Sequence, residues 1–205
     1  MLIQLEESQL VFIDYSLKQI PGIELAKRTA ALRAAKVLGE VARLLNVPIF
    51  GAEQVRGDSG EYAMDQGVRA LCQKVISKAH FDACEDGLVE LLKGPVKPVQ
   101  QGNARSLPKH LQKQEPAVER MSILIAGYET HLSVLQTALS LVEQEFDVCL
   151  VTDACASAQP HNHDSALDRL AGAGVELVTM EMVVFEWLGS PQHPSYEKTM
   201  KLLGR

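Results

Sequence analysis

Six residues, Ser122-Ile123-Leu124-Ile125-Ala126-Gly127, constrain this chain most: apolar side chains stand at consecutive positions, without the alternation of a strand that has one wet face. Such a strand must be covered on both sides, as in a parallel sheet sandwiched between helices. Leu10-Val11-Phe12-Ile13, which runs straight into Asp14, carries the same pattern near the other end. Between and beyond these two runs, strand-like and helix-like stretches alternate. That rhythm implies an α/β fold, a doubly wound six-stranded parallel sheet with helices on both faces.

The expected strands are 10–13, 47–50, 74–78, 122–127, 146–151 and 175–178. From 23 to 45 the apolar residues recur at spacings of three and four, which marks a long amphipathic helix that Asn46 can stop. Asp82 is a candidate cap for a short helix reaching Leu92. Further helices are expected from Thr130 onward and over 164–173, with Gly174 closing the latter. Residues 51–60 read as a polar loop. Met182, Phe185 and Trp187 stand at near-helical spacing and read as core or as a contact between copies.

Residues 1–205 are expected to form one domain, interrupted by a basic Pro/Gly-rich insertion at about 93–118. Its first part holds Lys93, Lys97, Arg105, Lys109 and Lys113 without a carboxylate. A connection of that length is either a solvated surface insertion or a lid or subunit contact. With 46% hydrophobic and 22% charged residues the chain can fill a core, and disorder is excluded as an overall description. Twenty Lys and Arg against 26 Asp and Glu give a formal charge of −6, so no global attraction to nucleic acid or to an anionic membrane is expected. No apolar run approaches the roughly 18 residues of a membrane span, and the first residues lack the pattern of a signal peptide. A cytoplasmic protein is expected. Cys72, Cys84, Cys149 and Cys155 have no C-x-x-C spacing and read as reduced, buried thiols.

In an open parallel sheet, ligands bind beyond the carboxyl ends of the strands. Asp14 follows the first strand, Lys78 ends the third, and Ser133 lies in the first turn of the helix after the fourth. The start of that helix offers unpaired N–H groups to an anion. Taken singly, an Asp after a strand is a cap, a Lys is a surface charge and a Ser near a helix start is structural; the combination is what points to chemistry. His161 and His163 form H-x-H after Pro160, which reads as a surface loop pair since no third metal ligand stands nearby. His131 reads as a packing or subunit-contact residue.

Four segments carry a resemblance: LVFID at 10–14, SKAHFDAC at 77–84, AGYETHLSVLQTAL at 126–139 and VTDACAS at 151–157. Together they resemble the isochorismatase-like hydrolases, in particular small isochorismatase-domain proteins with a G-x-E-x-H-x-C-V-L-Q-T-A segment. The resemblance implies an Asp-Lys-Cys triad, with Asp14 as the base, Lys78 as the organiser of charge and Ser133 in the cysteine's place. It implies a cis peptide at Tyr128–Glu129, an oxyanion hole from the backbone N–H groups of Glu129 and Ser133, and substrate contacts from Phe81 and Tyr128. Ser16 stands where the family commonly has Gln, and Ala52-Glu53-Gln54-Val55-Arg56 where it has a T-E-Q-Y-P-like loop. Related nicotinamidases hold a metal with an Asp and two His between strands two and three, but 52–78 contain no histidine, so no metal or cofactor is expected.

An alcohol ionises far less readily than a thiol of pKa near 8.5. Three readings therefore stand: a hydrolase of a small amide, imide or related substrate using an Asp-Lys-Ser triad; a catalytically silent relative that binds a partner or metabolite; and a vinyl-ether hydrolase working by acid catalysis from Asp14. A small-molecule substrate and self-association into a dimer or larger assembly are the expected partners.

Overall fold

Two strands, β1 (Ser8–Ile13) and β4 (Ser122–Gly127), lie side by side at the centre of a six-stranded sheet, and every residue of both is buried. The computed structural model describes residues 2–16, 22–54, 63–94 and 120–205. With β2 (Ile49–Gln54), β3 (Lys74–Lys78), β5 (Asp147–Val151) and β6 (Glu176–Val178), the strand order is β3-β2-β1-β4-β5-β6. All five pairings are parallel. This is the doubly wound order, and its switch point, where crossovers leave in opposite directions, falls between β1 and β4.

The long helix α1 (Leu25–Leu44) packs beside α6 (Met180–Leu188) and α7 (Tyr196–Leu203). It turns Ala31, Ala34, Ala35, Leu38, Val41 and Ala42 to the core and ends where Asn46 takes a left-handed φ of 62°. A second layer holds α4 (Leu135–Glu143) against α5 (Pro160–Gly172). Two short helices, α2 (Gln66–Arg69) and α3 (Leu88–Lys93), flank β3 in the chain. Fully buried Leu10, Phe12, Ile13, Ile123, Leu124 and Ile125 fill the space between the layers. Each contributes about 1.5–3 kcal/mol by leaving water.

The structure revises several boundaries. β2 starts after Pro48 and continues through Gly51 to Gln54, so the first four residues of the expected polar loop are strand, and 55–60 lie outside the described residues. Asp82 does cap, accepting from the Cys84 N–H, but the helix splits: a 3-10 turn, Ala83–Asp86, ends at Gly87, whose φ of 95° only glycine adopts without strain, and α3 follows. Helix α5 begins at Pro160, in a first turn that needs no N–H from it, so His161 and His163 are helical rather than on a loop. Of the insertion only Lys93 and Gly94 fall among the described residues at its start. Lys93 Nζ stands 5.7 Å from the centre of the Phe146 ring.

One close approach fixes the geometry between the central strands. A Cβ on Gly127 would stand 2.2 Å from the carbonyl oxygen of Ile13, so any other residue there would force β1 and β4 apart. Immediately beyond this contact both strands turn sharply, with Asp14 at φ 51° and Glu129 at φ 48°. No helix among the described residues is long and apolar enough to cross a membrane.

Candidate active site

The carboxyl ends of four adjacent strands converge on the ammonium of Lys78. This last residue of β3 has no exposed surface, and its Nζ lies 2.8 Å from Asp14 Oδ2, 2.8 Å from Gln54 Oε1 and 3.0 Å from Ser133 Oγ. The carbonyl of His80 stands 3.4 Å away as a fourth acceptor. An ammonium has three hydrogens to donate, and here each finds a buried oxygen. Such saturation offsets the several kcal/mol that a lone charge loses on leaving water.

The three residues picked from the sequence therefore meet around one atom. Asp14 is 5% exposed and Ser133 is 3% exposed. Since both bond to the same nitrogen, the carboxylate and hydroxyl oxygens lie within about 6 Å of each other. The second carboxylate oxygen, Asp14 Oδ1, accepts the backbone N–H of Gln54 at 2.9 Å.

Gln54 was not among the residues picked from sequence. Its backbone N–H holds Asp14, its Oε1 accepts from Lys78, and its Nε2 donates to the Ala79 carbonyl at 3.0 Å, which fixes which way the amide faces. The E-Q pair after Ala52 is the available signal, but it falls in the stretch 51–60 that the sequence reads as a polar loop. Ser16, two residues beyond Asp14, keeps a buried Oγ without a hydrogen-bond partner among the described residues.

Ser133 is carried by a π-helical turn, Thr130–Val134, that leads into α4. Single π-turns of this kind concentrate at functional sites. The expected cis bond is not found: the Tyr128–Glu129 peptide is trans, and the chain turns instead through the left-handed backbone of Glu129. Tyr128 is buried, its hydroxyl donates to the Arg28 carbonyl at 2.7 Å, and its ring meets Tyr15 edge-on. It can offer a ring, but its hydroxyl is committed; burial pushes that phenol well above its ordinary range. Phe81, three residues beyond Lys78, is 44% exposed.

Burial also pushes the thiols of Cys72, Cys149 and Cys155 up to about 12, and that of Cys84 higher still. None is a ready nucleophile at neutral pH. Among the described residues no group of three or more His, Cys, Asp or Glu is placed to hold a metal ion.

Known proteins similar to this chain give its family and its fold. The isochorismatase domain model matches residues 103–182. Isochorismatase domain-containing protein 2 of Bos taurus is 30% identical over 170 residues, 83% of this chain and 71% of that protein. The chain belongs to the isochorismatase family. A shorter match, 34% identical over 99 residues, covers 48% of this chain and 48% of isochorismatase family protein 2A of Dictyostelium discoideum, so there the match spans about half the relative's length. Among solved structures, that of MAR1 ribonuclease from Caenorhabditis elegans superposes with a TM-score of 0.80 at 21% identity, covering all of this chain and 93% of its own. At that identity the superposition shows the fold alone. It is the isochorismatase-like α/β fold.

Proposed function

We propose that this isochorismatase-family chain is a hydrolase of small amides, imides or related carbonyl compounds, working with Asp14, Lys78 and Ser133. The observation that carries the proposal is the fully buried Lys78 ammonium bonded at once to the Asp14 carboxylate and the Ser133 hydroxyl. Burying a lysine beside a carboxylate and a hydroxyl is costly unless all are paired, and such an array serves no packing purpose that a leucine would not serve better.

In this reading Lys78 donates to Ser133 Oγ and stabilises the negative charge that grows there as the oxygen attacks the carbonyl carbon. The hydroxyl proton passes to Asp14, and the former carbonyl oxygen becomes an oxyanion facing the N–H groups of Glu129 and Ser133. Collapse expels the amine, which takes the proton from Asp14, and leaves an ester on Ser133. Water, losing a proton to Asp14, then cleaves that ester and restores the serine. Phe81 and the Tyr128 ring border the substrate.

A second reading is favoured by one observation. Ser133 Oγ is bonded to Lys78 and not to Asp14, so in the resting arrangement the hydroxyl accepts from the site instead of donating to its base. A protein that only binds a small metabolite at these side chains would look the same. Self-association belongs to the proposal in either case: Met182 and Phe185 leave apolar surface on α6, 46% and 37% exposed, beside the buried Trp187. Four unpaired thiols fit a reducing, cytoplasmic setting.

Turnover of an amide and imide panel, followed by release of ammonia or amine, separates the readings. The hydrolase reading expects activity that Ser133→Ala abolishes. Activity that survives Ser133→Ala would move the chemistry to Asp14 acting alone. Ligand-dependent stabilisation without turnover would support the binding protein.

A further inference from the structure

Three consecutive side chains at the head of the Ser133 turn reach across to a single segment, residues 157–163. The Glu129 carboxylate accepts the backbone N–H of Ala158 through both oxygens, at 3.2 and 3.3 Å, and lies 3.2 Å from His131 Nδ1. Thr130 Oγ1 is 2.9 Å from His163 Nδ1. His131 Nδ1 is also 3.3 Å from Ser157 Oγ, and its Nε2 is 3.4 Å from Asn162 Nδ2. Because the Asn162 amide donates to Nε2, the Nδ1 hydrogen faces Glu129, so both ring nitrogens of His131 are engaged.

These bonds hold a backbone that would otherwise relax. A residue other than glycine in the left-handed region costs about 1–2 kcal/mol, and Glu129 sits there at φ 48° and ψ 73°. The π-turn that follows carries one residue more per turn than an α-helix. At its far end, α4 is anchored by buried Leu135, Thr137, Ala138 and Leu141. Any relaxation to α-helical winding is therefore absorbed between 129 and 134. A slip of one residue turns side chains by about 100° around the helix axis. That would carry Ser133 Oγ away from the Lys78 ammonium, 3.0 Å from it as the turn stands.

We infer that Glu129 and His131 are positioning residues: together they lock the π-turn onto the start of α5 and so hold residue 133 against Lys78. The inference rests on the reading of Asp14, Lys78 and Ser133 as the active site. It assigns the two side chains no contact with substrate. Their effect reaches the reacting atoms through the backbone of the turn.

The position of residue 133 can be read without knowing the substrate. In the Ser133→Cys variant a correctly placed thiol feels the Lys78 ammonium, and its ionisation, followed by iodoacetamide alkylation rate against pH and by thiolate absorbance, reports how near it is. The native thiols stay silent in this assay because burial keeps Cys72, Cys149 and Cys155 up near about 12 and Cys84 higher. The expected midpoint for Ser133→Cys lies at least about one pH unit below the ordinary 8.5. Adding Glu129→Gln or His131→Leu is expected to raise that midpoint by about one pH unit, roughly a tenfold loss of alkylation rate near pH 6.5. Adding His131→Asn, which keeps a donor toward Glu129, leaves it low.

A midpoint that is depressed in Ser133→Cys but unmoved by both added substitutions overturns the positioning role and leaves the proposed function standing. A midpoint that is not depressed in Ser133→Cys itself removes the site reading and this inference with it. If His131→Leu fails to fold, Glu129→Gln carries the test: its one amide oxygen still accepts the Ala158 N–H, but the second acceptor and the charge facing His131 are gone.

Discussion

Lys78 Nζ lies 2.8 Å from Asp14 Oδ2, the lysine side chain wholly enclosed and the carboxylate side chain only 7% exposed. Neither charge has water to fall back on, so each depends on the other. Lys78→Met is expected to lower stability by about 3–5 kcal/mol, because it leaves the Asp14 carboxylate buried without its ammonium. The double variant Asp14→Asn/Lys78→Met is expected to lose clearly less than the two single losses added together. Urea unfolding of the four proteins measures the coupling, and strictly additive losses would show that the pair is not coupled.

Gly127 is where sheet and site meet. In Gly127→Ala the new methyl would stand 2.2 Å from the Ile13 carbonyl oxygen, on the residue preceding Asp14. The strands must separate, and a loss of more than about 2 kcal/mol is expected by chemical denaturation. Retention of wild-type stability would mean that β1 and β4 lie further apart than described.

The thiols give a chemical check on the core. With Cys72, Cys149 and Cys155 pushed up to about 12 by burial and Cys84 higher, native protein at pH 8 is expected to react with a disulfide reagent slowly at all four positions, and rapidly only after denaturation. A fast-reacting native thiol would contradict the packing around it.

Glu129 makes a prediction of opposite sign for stability and for positioning. Burial raises its carboxyl above the usual range despite the Ala158 N–H and the neighbouring His131. A carboxyl with a raised folded-state value favours the fold most at low pH and loses that advantage as pH climbs from its unfolded value through its folded one. Glu129→Gln lacks this loss. Its thermal midpoint is expected to match or exceed that of wild type at pH 7, with the gap closing near pH 4. A variant that is less stable at pH 7 than at pH 4, relative to wild type, would show that the carboxylate is held by net favourable partners. The expected pairing of unimpaired stability with a misplaced residue 133 also separates a positioning residue from a merely structural one.

The two central strands were legible because they are buried on both faces. The runs at 10–13 and 122–127 have no polar interruption, β3 matched at both ends, and α1 advertised its apolar stripe through small residues at helical spacing. Asp14, Lys78 and Ser133 could be picked because the doubly wound order dictates where crevices open. Gln54 escaped because Pro48 and Gly51 disguise β2 and its last residues are polar. Nothing local announces a π-turn: Thr130–Val134 looks like ordinary helix, and its extra residue is set by the bonds of Glu129, Thr130 and His131 to a segment almost thirty residues away. For the same reason His163 looked like a surface histidine, although desolvation lowers its pKa and Thr130 holds its ring. Helix α6 was seen only as three large side chains at helical spacing. Trp187 is its anchor, donating from Nε1 to Ser8 Oγ at 3.0 Å.

In the proposed function Ser133, held by Lys78 and served by Asp14, takes an acyl group. Peptide mapping by mass spectrometry after brief incubation with an activated acetyl ester and quenching in acid tests it most directly. A single acetyl group on the peptide containing Ser133, absent from Ser133→Ala and strongly reduced in Asp14→Asn, is the predicted result. Acetylation confined to surface lysines, equal in all three proteins, would contradict the account.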